Sequence, residues 1–159
     1  MATRLYLALA LHNHQPVGNF DHVFEQAYRQ AYEPMVAALE RHPHVRLALH
    51  YSGPLHDWLL AHHPDFFGRV RALVARGQVE IMTGAYYEPI LAIIPDDDKH
   101  DQIVKQTLAV ERDFGYRATG YWLAERVWEP HLVRPLAEAG VLYTIVDDTH
   151  FKAVGLNED

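Results

Sequence analysis

Two histidines, His12 and His14, stand in the segment "HNHQP" near the N-terminus. Two residues apart on an extended chain, they point the same way. Such a pair holds a metal ion, hydrogen-bonds a polyhydroxylated ligand, or serves only as loop structure, and spacing leaves all three open. Glu80 alternates with Val79 and Ile81, so its carboxylate faces away from their side chains. Unpaired in a buried sheet it costs several kcal/mol, which favours a site residue over a surface one. The segment "YWLAERVWEP" (121–130) carries the strongest candidate. Glu125 closes a short apolar run beside Arg126. A neighbouring guanidinium favours the ionised carboxylate, the form that a nucleophile needs. Glu129, directly before Pro130, suits a helix N-terminus, where the dipole stabilises acids. Trp122 offers a flat face, to a sugar ring or to the core. Asp147 and Asp148 close "TIVDD". Neighbours on a strand face opposite ways, so at most one of them looks into a site and the other suits the following turn.

These residues need elements to hold them, and the hydrophobic pattern supplies a regular alternation. Strand-length apolar runs lie at 4–11, 45–51, 78–84, 120–125 and 141–148. The first reads as a strand buried on both faces. Helical periodicity fills 22–41 (with a break expected at Pro34), 53–63, 64–77, 97–114 and 129–140. Pro64 and Pro130 suit first turns, and Gly77 and Gly140 suit helix ends. Strands alternating with helices mean a parallel α/β sheet. Five βα units make either an open doubly wound sheet or the first part of a (β/α) barrel, which typically takes about 250 residues. In each of the five, ionisable or amide side chains gather towards the C-terminal half of the strand: His12 to Gln15, His50 to Ser52, Glu80 with Tyr86 to Glu88, Glu125 with Arg126, and Asp147 with Asp148. In parallel α/β folds that edge is where ligands bind and catalysis occurs.

Composition narrows the chemistry. The chain has 159 residues, 49% of them hydrophobic and 22% charged, as in a soluble globular protein. There is no cysteine, which excludes disulfides, thiol catalysis and cysteine-based metal sites. A net charge of −7 argues against nucleic acid and against an anionic membrane as partner. The apolar run Leu5 to Leu11 is too short for a membrane span and lacks a small-residue cleavage site after it, so a cytoplasmic protein is expected. Twelve histidines, nine tyrosines, six phenylalanines and three tryptophans are a large stock of flat rings for a sugar site.

Three segments in order, "HNHQP", "GQVEI" (77–81) and "WLAERVWEP" (122–130), resemble the first three signature regions of glycoside hydrolase family 57. The likeness is greatest to its 4-α-glucanotransferase group. "GNFDHVFEQAY", "SGPLHDWL", "YEPILAIIP" and "VDDTHF" extend it over nearly the whole chain. The resemblance implies a retaining α-glucan enzyme on a seven-stranded (β/α) barrel, of which about five βα units are present. It implies Glu125 as nucleophile and His12, His14, Glu80 and Trp122 as lining of the sugar cleft, with Asp148 a further candidate contact. It implies no metal and no cofactor. In the family the acid/base is an aspartate beyond the fifth strand, so Asp147 and Asp148 do not take that role. The expectation is therefore an incomplete barrel with the nucleophile half of a site, little activity alone, and exposed strand edges that a homodimer would cover. A metal-dependent mannosidase or deacetylase using His12 and His14, and a glucan-binding homologue without catalysis, are the alternatives.

Overall fold

In the computed structural model, residues 5–156 are described. Six parallel strands form two three-stranded sheets, β1 (Ala10–Asn13), β2 (Leu47–Tyr51) and β3 (Val79–Ile81) in one, and β4 (Thr83–Gly84), β5 (Gly120–Trp122) and β6 (Tyr143–Thr144) in the other. Spatial order follows chain order in each sheet. The reversal of strand order that defines a doubly wound sheet is absent among the described strands.

The extended segment expected over 78–84 serves both sheets. Val79 to Ile81 pair with β2, and Thr83 and Gly84 pair with β5. Met82 sits at the changeover and still donates its N–H to the Leu49 carbonyl at 2.8 Å. The chain thus turns from one sheet to the next without a loop.

Helices cross between the strands. α1 (Asp21–Ala27) runs through a π-helical turn (Tyr28–Tyr32) into α2 (Glu33–Arg41). The break expected at Pro34 is absent. Pro34 sits in the first turn of α2, and the wide turn before it accommodates the missing N–H. α3 (Gly53–His62) and α4 (Pro64–Ala75) follow β2, and α4 begins at Pro64 as expected. Gly77 closes this unit with φ +69°, a conformation that only glycine adopts freely. α5 (Asp96–Phe114) opens on Asp96, Asp97 and Asp98, whose charges suit the positive end of the helix dipole. α6 (Val133–Glu138) is preceded by a short 3₁₀ turn (Pro130–Leu132), with Glu129 at its N-cap. The strand expected over 141–148 is shorter: β6 keeps two residues, and Asp148 opens α7 (Asp148–Ala153).

Two apolar clusters hold these layers. The larger packs Phe24, Val36, Leu55, Leu59, Phe66, Phe67, Val70 and Leu73 from the helices against Leu49, Tyr51 and Ile81. The smaller gathers Leu91, Ile103, Tyr121, Leu123, Leu132 and Leu136 around α5, β5 and α6. Inside the larger one, His56 is fully buried and bonds Asp113 at 2.7 Å.

One expectation fails. The first strand is not buried on both faces, and its start at Arg4 lies outside the described residues. Leu7 is 77% and Leu9 43% exposed. β1 is an edge strand whose neighbour is β2, and its open face borders a groove shared with Ala48, Met82 and Ile145. Nothing among the described residues covers that face. No helix among them is long and apolar enough to cross a membrane.

Candidate active site

The strand tips bring His12, His14, His50, Glu88, Trp122 and Glu125 together. Parallel register does the first part: His12 is directly opposite His50, so their side chains share a face. Their Nδ1 atoms lie 2.9 Å apart. Asn13 points the other way and bonds the His50 carbonyl through Nδ2 at 3.1 Å, which fixes the end of β1 on β2.

Gly84 does the second part. A Cβ at Gly84 would lie 2.5 Å from His50 Nε2. Because glycine has none, the His50 ring fits against the β4 backbone, and Trp122, opposite Gly84, reaches over it. Trp122 stacks on His12 with ring centres 4.6 Å apart and planes 6° apart, and on His50 at 6.0 Å. His14 continues the ladder at 5.5 Å from His12. One face of Trp122 is thereby committed to a protein ring.

Sequence places Glu88 and His50 among the polar residues of the strand tips but gives neither an individual role. Glu88 sits in the loop after β4 with φ +52°, a strained value for glutamate. α5 grips this loop: the Gln102 carbonyl accepts from the Tyr86 N–H at 3.2 Å, Gln102 Oε1 from the Tyr87 N–H at 2.9 Å, and Lys105 donates to the Tyr87 hydroxyl at 2.8 Å. So held, the Glu88 side chain is 8% exposed. Its carboxyl lies against His14 Nδ1, 3.4 Å from His12 Nε2 and 3.6 Å from His50 Nδ1. Sequence shows a glutamate after a tyrosine pair; the turn that aims it inward leaves no signal there.

The electrostatics favour neutral groups. Burial, then the charge of Glu125, pushes Glu88 up to about 8. Burial, then His14, pushes His12 down to about 4. Burial lowers His14, partly offset by Glu125, and full burial holds His50 well below its ordinary value. Burial thus disfavours the charged form of the carboxyl and of all three imidazoles.

Glu125 tips β5 in a tight turn (Ala124–Arg126), exposed and with φ +53°. It is close enough to act electrostatically on both Glu88 and His14. Arg126, expected beside it as a guanidinium partner, bonds Asp147 at 2.9 Å. Asp148 pairs with Lys152 at 2.6 Å in the first turn of α7, and is not among the residues gathered at His12. Glu80 lies one register level below, opposite Ala48 where His12 and His50 are two residues further on. There it accepts from the hydroxyls of Tyr143 and Tyr116.

A carboxylate raised on a strained strand-tip turn thus stands beside flat rings and a buried second carboxyl at the C-terminal edge of a parallel sheet. The chain belongs to glycoside hydrolase family 57, described as "Glycosyl hydrolase family 57", whose model matches residues 2–158. It is 49% identical over 159 residues to "Alpha-amylase 1" of Dictyoglomus thermophilum, covering all of this chain and 23% of that protein. It is 48% identical over 149 residues to the 4-alpha-glucanotransferase of Thermococcus kodakarensis, covering 94% and 23%. The crystal structure of the 4-alpha-glucanotransferase from Thermococcus litoralis superposes with a TM-score of 0.91 at 46% identity, over 95% of this chain and 24% of that one. The chain thus spans about a quarter of the length of these relatives.

Proposed function

We propose that this chain carries the nucleophile half of a retaining α-glucan site and that the reaction is glycosyl transfer between 1,4-α-glucans, or hydrolysis when water is the acceptor. The observation that carries the reading is the placement of Glu125, lifted into solvent on a left-handed turn at the tip of β5 and facing the Glu88–histidine cluster. Similarity to relatives named alpha-amylase and 4-alpha-glucanotransferase supports an α-glucan as substrate. Family membership also weighs for glycosyl chemistry over the metal-dependent alternatives.

In this reading Glu125 attacks the anomeric carbon. The carbon–oxygen bond to the leaving sugar breaks with its electron pair on that oxygen, which takes a proton from an acid. A β-glycosyl ester on Glu125 results. An acceptor hydroxyl or water then gives its proton to the same carboxyl group and displaces Glu125. The second carboxyl group must lie about 5–5.5 Å from the first. Asp147 and Asp148 do not fill that role, since they pair with Arg126 and Lys152. We assign the role to an aspartate outside this sequence, on a barrel of seven strands of which these form the first part. His12 and His14 contact sugar hydroxyls, and Trp122 holds a ring through the face that His12 leaves open. Glu80, held by Tyr143 and Tyr116, and Asp148, paired with Lys152, act on the sugar only indirectly in this reading.

Glu125→Ala in the longest polypeptide that the gene encodes tests this. Glycosyl transfer should fall by several orders of magnitude while maltooligosaccharide binding stays. Near-normal transfer refutes the nucleophile. Binding without transfer or hydrolysis by the unaltered polypeptide would favour a glucan-binding homologue.

A further inference from the structure

We propose that His12, His14 and Glu88 form a binding site for a divalent metal ion of the zinc class, and that the ion and the sugar compete for this surface. The ion site stands on its own geometry; the competition rests on the glucan reading above. The ion is not a requirement of the reaction but a ligand that blocks it.

One ligand atom from each of the three residues lies within 4.8 Å of the others. Two imidazoles and one carboxylate are a common zinc donor set that leaves a coordination position open. Imidazole selects zinc, copper or nickel over magnesium and calcium, which prefer oxygen alone. His12 Nε2 lies 3.4 Å from Glu88 Oε1. Two ligand atoms about 2.0–2.1 Å from a tetrahedral zinc are roughly 3.4 Å apart, so this edge of the site already has the right length. His14 Nδ1 sits closer to the other carboxylate oxygen. Its side chain is 39% exposed, so it has room to draw back.

The surroundings suit a ligating His12. A histidine bound through one ring nitrogen donates the proton on the other to a fixed acceptor. His12 Nδ1 has such an acceptor in His50 Nδ1 at 2.9 Å. The bond places the His50 proton on Nε2, the buried atom that no other group partners. Glu88 supplies the remaining support. Its Oε1 is buried without a hydrogen-bond partner, and the negative field of Glu125 falls on the same carboxyl. A cation satisfies both. Glu88 is also fixed in place by the α5 clamp on its loop, so little ordering remains to be done on binding.

The chain, freed of metal with EDTA and dialysed, is titrated with zinc chloride by calorimetry at pH 7.5. One saturable site is expected, weakened at least tenfold in His14→Ala and in Glu88→Gln and unchanged in His44→Ala and His100→Ala, which alter exposed histidines elsewhere. X-ray absorption of the zinc-loaded wild type should show two imidazoles with oxygen donors, which keeps the test valid even if a variant loses its fold. Absence of a saturable site, equal binding by the folded variants, or a shell with one or four imidazoles overturns the proposal. Maltotetraose should weaken zinc binding in proportion to its own occupancy. Zinc binding that is intact but indifferent to maltotetraose overturns the shared surface and the glucan reading of it, while the ion site stands.

Discussion

Replacing Glu88 by glutamine isolates the most unusual group in the site. Glu88 is displaced upward, from 4.5 to about 8. The folded state therefore binds a proton more tightly than the unfolded chain, and stability is fully present below pH 4.5 and lost as pH rises towards 8. The histidines of the site act with the opposite sign. His12, His14 and His50 are lowered from 6.5, as is buried His56, so their contributions grow as pH rises through 6.5 and are complete only about one unit above it. Between pH 6.5 and 8 that gain is common to wild type and Glu88→Gln, so the difference between the two proteins isolates Glu88. Each pH unit there is worth at most about 1.4 kcal/mol, or about 2 kcal/mol over the interval. The site is partly open to water, and screening reduces this to about 1 kcal/mol. For a chain of this size that is a fall of about 2–4 °C in Tm. Urea unfolding followed by tryptophan fluorescence at pH 6.5, 7.25 and 8, in EDTA so that no cation sits on the carboxylate, should show the wild type losing about 1 kcal/mol relative to Glu88→Gln across the interval. An equal slope in both proteins, or a wild type that gains on Glu88→Gln as pH rises, refutes the assignment of a buried, protonated Glu88.

Three further outcomes follow from the packing. Gly84→Ala places a methyl group 2.5 Å from buried His50 Nε2; it should cost about 1–3 kcal/mol in urea unfolding and disturb the His12 ring stack, read as a change in Trp122 fluorescence. Asp113→Ala strips the partner from fully buried His56 and should cost about 1–3 kcal/mol, measured in the same way. Glu125→Gly relieves a left-handed turn, so unfolding should show a gain of up to about 1 kcal/mol while glycosyl transfer is lost.

The sequence made some parts of this molecule legible and hid others for physical reasons. Alternating apolar runs and helical periodicity located the layers, because burial imposes those periods on any sequence. Glu125 was visible as a carboxylate where an apolar strand should end, and His12 and His14 as a same-facing pair. Glu88 and His50 showed only as polar residues at strand tips, because their roles arise from other elements. His50 matters through its register with His12 and the missing side chain of Gly84, and Glu88 through a turn clamped by Gln102 and Lys105. Neither relation is local. Asp148 read as a strand end, yet it starts α7, since a short apolar run does not show where pairing stops. The first strand read as buried because Leu5, Leu7, Leu9 and Leu11 are apolar. What covers an apolar strand depends on its neighbours, and β1 is an edge.

Taken with the zinc experiment, these tests separate the support of the site from its chemistry. Glu88, His50 and Gly84 govern the pH response, the ring stack and the ion. Glu125 alone should govern covalent chemistry. The most direct measurement is therefore covalent trapping. The longest polypeptide that the gene encodes is incubated with an activated fluoro-α-glucoside that forms a slow-turning-over glycosyl-enzyme, then digested and mapped by mass spectrometry. One fluoroglucosyl unit on the peptide that contains Glu125, absent in Glu125→Ala, is the predicted result. A label on Glu88 or on any other residue, or an active polypeptide that never carries a label, would contradict the account.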